Sequence, residues 1–323
     1  GEVTPIEVGI SANEGLVDMA YDSVRRRVYI ANSGKNRIEV YDERTRQLLE
    51  PVKVGQLPRS MAMSLDNSQL YVASSSGEVI DIIDLDTRKR TARIKYPPIP
   101  FNANLALILP SVITMTQRGL LVMMNNGTLW RVVGDELVPR NVSSIIGSSI
   151  LAAPRTMSST PNGEYAIVMA GNGFVYLYDA LADDFVQARQ IFTGTQLNGY
   201  YGPITAGPRG SYYIVNGTVL NQSLTPTFSS QMTVPGARPG DTPSTIATPI
   251  PSVAPIGGAQ FARFATPVRA NANTVVTELS AVEIVNVDTG AVLRRASTIE
   301  GPVATLIGNT RQVVNGRTMV VDS

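Results

Sequence analysis

A run of β-branched and aromatic residues, a short turn of small polar residues, and a second such run recur seven times along this chain. The copies begin at residues 28 (VYIANSGKNRIEVYD), 70 (LYVASSSGEVIDIID), 120 (LLVMMNNGTLWRVVGD), 165 (YAIVMAGNGFVYLYD), 212 (YYIVNGTVLNQS), 274 (TVVTELSAVEIVNVD) and 312 (QVVNGRTMVVDS). Each reads as a β-hairpin, because Asn-Gly and Gly-Asn between β-rich runs supply the positive φ angles of primed hairpin turns. The strongest such turns are Asn126-Gly127, Asn216-Gly217 and Asn315-Gly316. Asn126 and Asn216 also open N-x-Thr sequons, but turn chemistry already accounts for both.

A second element precedes each hairpin. PRSMAMSLDNSQLYVA from Pro58 matches PRTMSSTPNGEYAIVM from Pro154 without a gap, and LVDMAYDSVRRRVYIA from Leu16 has the same length. These read as an inner strand, a polar turn and the first hairpin strand. Downstream, YDERTRQLLEPVKV, IDLDTRKRTARIKY and VNVDTGAVLRRAST place an Asp and a turn before a fourth, more polar strand. Four antiparallel strands repeated every forty residues or so make a propeller blade.

The expected fold is therefore all-β, a single seven-bladed β-propeller over residues 1–323, with four antiparallel strands per blade. The blades fall at roughly Gly15 to Gly55, Gln56 to Tyr96, Pro97 to Arg140, Asn141 to Gly194, Thr195 to Val234, Pro235 to Gly301, and Pro302 onward. The last copy stops after its third strand at TMVVDS. The opening VTPIEV is expected to supply the missing outer strand, closing the ring and removing an exposed sheet edge.

The stretch RRRVYIANSGKNRIEVYDERTRQLL, followed by VGQLPRSMAMSLDNSQLYVASSSGEVIDIIDLDTRKR, resembles the YVTN-type β-propeller repeat of surface-layer-like and secreted proteins. The likeness is close in the first two blades and decays afterwards. It implies a propeller and a secreted or cell-surface setting. It does not imply one activity, because this scaffold hosts binding proteins, lactonases and subunits of redox enzymes.

Two stretches break the rhythm. Residues 233–258 are rich in Pro, Thr, Ser and Gly and read as an extended insertion within the sixth blade. Residues 96–111, YPPIPFNANLALILPS, open the third blade. Both read first as surface insertions and second as partner-contacting loops.

Composition narrows the chemistry. With no Cys, disulfides, thiolate metal sites and cysteine nucleophiles are excluded. With no His, the commonest general base and the imidazole ligands of most zinc and copper sites are gone too. No cofactor and no metal site is expected. Twenty-seven basic residues against 26 acidic ones give a net charge of +1, which does not suggest a nucleic-acid partner. No apolar run is long enough to span a membrane. The opening GEVTPIEVG lacks the charged and apolar regions of a signal peptide, so an extracellular or periplasmic setting presumes that a leader has been removed.

Candidate site residues come from the position just before the inner strand, where successive blades converge on the channel. Arg59, Arg155 and Arg263 are assigned to that position in blades two, four and six; Val17, Ser111, Ile204 and Val303 are assigned to it in the others. Three guanidiniums facing the axis would make an anion-binding mouth, since Arg offers paired donors to carboxylate or phosphate. The competing reading pairs each Arg with a local carboxylate or a neighbouring backbone. Tyr200 and Tyr201, in NGYYGP, join the candidates as residues able to bind a sugar or act as base or nucleophile, against the reading that they pack a strand end with a hydrogen-bonded hydroxyl.

Several clusters read as structural. Asp84 with Asp86 and Asp183 with Asp184 read as turn caps, because the spacing of a calcium loop is absent. The basic runs at 25–27 and 88–90 read as solvated edges, and Trp130 reads as blade packing. The function expected is non-enzymatic binding of a protein, a glycan or a small anionic ligand. The alternatives are a propeller lactonase or another carbohydrate-acting enzyme working without His, and a cofactor-free subunit of a redox complex.

Overall fold

The computed structural model describes residues 3–9, 15–76, 79–95, 107–140, 151–153, 155–192, 204–215, 218–229, 252–265, 279–298 and 319–321. Within them the chain forms six consecutive four-stranded antiparallel units, numbered here as blades 1 to 6 and spanning 16–53, 58–95, 110–139, 155–190, 204–229 and 252–297. Each runs in simple sequence order from an inner to an outer strand. Blades 2 and 3 also touch through their outer strands, where Lys95 pairs in parallel with Glu136.

The Asp or Asn that ends the third strand has a specific task in blades 1, 2, 4 and 6. Asp42 accepts hydrogen bonds from the amides of Arg44 and Thr45, Asp84 from Thr87, and Asp179 from Leu181 and Ala182. Asn286 does the same for Asp288 and Thr289. A short acceptor satisfies amides that the tight turn leaves unpaired, which is why Asp and Asn stand there.

In blades 1, 3 and 4 the turns between second and third strands differ from the primed hairpins expected, while Asn216-Gly217 and Asn315-Gly316 lie outside the described residues. In blade 3 the amide of Gly127 donates to Met124, and only Gly127 has positive φ; Asn126 does not. Blade 4 repeats this at Gly173. The left-handed residue faces the linker that enters the next blade. The carbonyls of Asn36, Gly127 and Gly173 accept the amides of Val54, Leu151 and Ile191. A β-carbon at Gly173 would stand 1.9 Å from the carbonyl oxygen of Phe192, so the linker leaves room for glycine alone.

Blade faces pack against one another. Between blades 1 and 2, Ala20, Tyr29, Ile38 and Val40 meet Met61, Leu70, Val72 and Ile83. Trp130, whose indole donates to Thr128, packs at the seam between blades 2 and 3. Full burial of each large apolar side chain contributes about 1.5–3 kcal/mol. Inner strands are sheet edges, and a polar side chain of one blade accepts an amide of the next. Asp18 accepts from Met61, Ser60 from Ile113, and Thr114 from Ser159, at 2.6, 3.0 and 2.9 Å. These bonds tether blades 1 to 4 in sequence around the inner side.

Three expectations change or fall outside the description. The sixth blade's inner strand is Ser252–Ile256, so the end of the 233–258 stretch is sheet and not insertion. Its second strand is Gln260–Ala265, upstream of the TVVTEL stretch to which the hairpin was assigned. Residues 266–280 separate it from the third strand, Ala281–Asn286, and this displaced the register. The seventh repeat and residues 233–250 lie outside the described residues, apart from 319–321, which carry no strand. Residues 3–9 are likewise not in a strand; there the carbonyl of Glu7 accepts from Asn32 and its carboxylate meets Lys35 at 2.8 Å.

Candidate functional site

The three arginines assigned to one mouth have three different settings. Arg59 is an exposed second residue of the inner strand Pro58–Met63. Arg155 opens the inner strand Arg155–Ser159, but its guanidinium folds back onto the preceding blade. Its Nε donates to Leu151 and its Nη1 to Asn125, and it lies against Gly127. Arg263 is not a register equivalent at all. It sits in the middle of a second strand, 1% exposed, and its Nε donates to Glu283 at 2.8 Å. Local pairing thus describes two of the three, Arg155 and Arg263. Tyr200 and Tyr201 lie outside the described residues.

A series of acids takes shape instead, which the arginine alignment overlooked. Glu39, Asp81 and Glu283 are each the third residue of a third strand, and each is at most 4% exposed. Arg37 donates to Glu39 and Arg93 to Asp81, both at 2.7 Å. Asp81 also accepts the amide of Gly55 at 2.6 Å, in the linker from blade 1, and Arg90 stands 3.7 Å away. Glu283 has Arg263 and, at 3.7 Å, Arg295. The signal was present in IEVYD, IDIID and VEIVN, where an acid stands third before the terminal Asp or Asn. Each buried carboxylate among the described residues carries at least one hydrogen bond. Asp18 holds Met61, Asp22 and Asp42 hold turn amides, and the other three hold arginines. Buried charges are retained only when bonded in this way.

The expectation of solvated basic edges fails at Arg25, while Arg26 is exposed. The side chain of Arg25 is 16% exposed and crosses from blade 1 to blade 2, binding Asp22 at 3.0 Å, Asp86 at 2.6 Å and the carbonyl of Asn67 at 2.8 Å. Asp86 is thus an ion-pair partner, while Asp84 caps its turn as expected. In blade 4, Asp183 holds Arg131 at 2.6 Å, Arg140 at 3.2 Å and the Tyr178 hydroxyl. Burial first, and that hydrogen bond second, raise the Tyr178 hydroxyl well above its ordinary value. A phenol so held is a structural donor and not a base at neutral pH.

A candidate surface among the described residues is the face built by the turns between inner and second strands and between third and outer strands. Three blades meet there. From blade 3, the amide of Gln117 donates to Gly163, its side chain to Asn162, and Arg118 to the carbonyls of Ala180 and Leu181. Leu65 of blade 2 reaches the same place: a β-carbon at Gly163 would stand 3.1 Å from both its δ-methyls. Leu65 nevertheless remains 44% exposed and Leu181 82% exposed. The turn carrying Leu65 is held by Asp66, which accepts from both Ser64 and Ser68, and these bonds lower its carboxyl to about 2. The result is two apolar knobs on a hydrogen-bonded frame.

Among the described residues no group of three or more His, Cys, Asp or Glu could hold a metal ion. Nor is any helix there long and apolar enough to cross a membrane.

No protein-family model matches this chain, and no curated protein matches it in sequence. Among solved structures it is similar to the β-propeller domain of Cps50 (Swd1) from Myceliophteria thermophila, with a TM-score of 0.61 and 12% identity over 93% of this chain and 90% of that one. It also aligns with the hydrazine synthase of Kuenenia stuttgartiensis at a TM-score of 0.49 and 14% identity, over 96% of this chain and 72% of that one. The first likeness establishes the β-propeller fold.

Proposed function

We propose that this chain is a non-enzymatic binding propeller of a secreted or cell-surface protein, built of YVTN-type repeats, which presents the turn face of blades 2 to 4 to a protein partner. The observation that carries the reading is the frame of Gln117 and Arg118, which joins turns from neighbouring blades while leaving Leu65 and Leu181 open to solvent. Rigid presentation of exposed apolar groups within a polar rim lowers the ordering cost of association. The commitment of the buried carboxylates to structural bonds favours binding over catalysis.

The test is in-cell cross-linking with site mapping, comparing the wild type with the double variant Leu65→Asp, Leu181→Asp. Cross-links to one partner should concentrate on the turns carrying Leu65, Gln117 and Leu181 and fall at least tenfold in the variant. An unchanged cross-link pattern in a folded variant would sink the proposal.

The reading includes a seventh blade from residue 302 onward, completed by the N-terminal segment. Support comes from the seventh hairpin copy and from the anchoring of Glu7 beside blade 1. Deleting residues 1–9 should then lower Tm by several degrees; an unchanged Tm would remove the closure.

A further inference from the structure

The outer strand of blade 2, Lys89–Lys95, has the sequence KRTARIK, and only Ile94 in it is buried. With Arg88, five of eight consecutive residues are basic, and two of the chain's four lysines lie here. One edge of the strand pairs with the third strand of its own blade. Among the described residues, the other edge pairs only at Lys95, with Glu136. Among the described residues, the backbone donors and acceptors of alternate residues between Lys89 and Ile94 therefore face outward unpaired by sheet.

Register sorts the cations. Lys95 lies opposite Val79, Arg93 opposite Asp81 and Arg90 opposite Ile83, and a bulge leaves Thr91 without an opposite residue. Strand side chains alternate between faces, so Arg93 and Arg90, three apart, would fall on opposite faces of a regular strand. The bulge adds the residue that puts both on the face of Asp81, with Lys95 beside them. Asp81 is 0% exposed and provides one carboxylate beneath this row of three cations. The Arg90 and Arg93 side chains stay 38% and 43% exposed.

We propose that this edge docks an acidic, extended polypeptide segment, which adds as a further strand with carboxylates at alternate positions. The alternate spacing, about 7 Å, matches cations carried on one face of a strand. Arginine binds carboxylate through paired donors. A second copy of the same strand is disfavoured, because like charges would stand opposite one another. The other outer edges lack the pattern: blade 4 presents DFVQARQ, with one cation, and blade 6 presents VLRRAS, with Val292 at the register position of Arg90. This site is separate from the turn face of blades 2 to 4.

The experiment titrates the full chain with a fluorescent ten-residue peptide of alternating Glu and Val. Binding should weaken with added salt and fall at least tenfold in the variant Arg90→Ala, Lys95→Glu, which leaves Arg93 on Asp81. Unchanged thermal unfolding and far-UV spectra would show that the variant folds. The variant Leu65→Asp, Leu181→Asp should bind as the wild type does. A peptide with the same composition in blocks, or with alternate backbone amides methylated, should bind at least tenfold more weakly. Equal binding of either peptide, or tighter binding of a heparin fragment, would overturn strand addition, and so would unaltered affinity in the charge variant.

Discussion

The backward-facing seams of blades 2 and 4 solve one packing problem with opposite chemistry. In blade 2 the third position of the third strand is Asp81, tied to Arg93 and to the Gly55 amide from the linker of blade 1. In blade 4 the same position is Tyr176, whose ring lies 6.0 Å from those of both Phe174 and Phe185, within an apolar cluster shared with blade 3. Aromatic packing gains buried area without removing charge from water. The ionic seam carries a desolvation cost and returns a bond that tolerates only one partner geometry. Blade 6 goes further, with Arg263 fully inside the protein beside Glu283. The repeat therefore fixes where a seam contact lies and leaves its chemical kind open.

That contrast can be broken most forcefully by transplanting the charge. Tyr176→Asp should cost about 3–5 kcal/mol, because the outer-strand residue opposite is Ala188 and offers no cation. Adding Ala188→Arg, the register equivalent of Arg93, should return at least about 1 kcal/mol; urea unfolding of the single and double variants measures both. Next in size is Arg263→Ala, which leaves Glu283 buried with Arg295 alone and should destabilise by about 3 kcal/mol in the same assay.

A smaller effect is expected at Asp66, a carboxylate on the surface. Its value is depressed from 3.8 to about 2, so its stabilising contribution is present above the ordinary value and is lost as pH falls toward 2. Acid melting curves of the wild type and Asp66→Asn should converge across that window; parallel curves would show that the serine bonds do not stabilise the turn. Smallest of all is Arg59→Ala, an exposed site expected to change stability by no more than about 0.5 kcal/mol.

Much of this was legible in the residues. β-rich runs, polar turns and a closing Asp are local signals, and they located the blades because hairpin pairing joins near neighbours in sequence. In blade 6 residues 266–280 separate the second strand from the third, so spacing alone gave Arg263 the wrong strand. The seam acids share the third position of the third strand in three repeats, whereas Arg59, Arg155 and Arg263 share no register position. Asn126-Gly127 was recognised as a turn, but its geometry was set by the linker that Gly127 accepts.

The sequence by itself determined an all-β chain of hairpin repeats with capped turns, and a chemistry stripped of thiol and imidazole. Tertiary structure alone decided which arginine meets which carboxylate, that Arg25 crosses to Asp86, and that Leu65 reaches the turn of blade 4. The physical reason is range. Strand and turn preferences act over a few residues, whereas Arg25 and Asp86 lie 61 residues apart and Arg118 and Leu181 lie 63 apart, and such partners meet only when whole blades pack face to face.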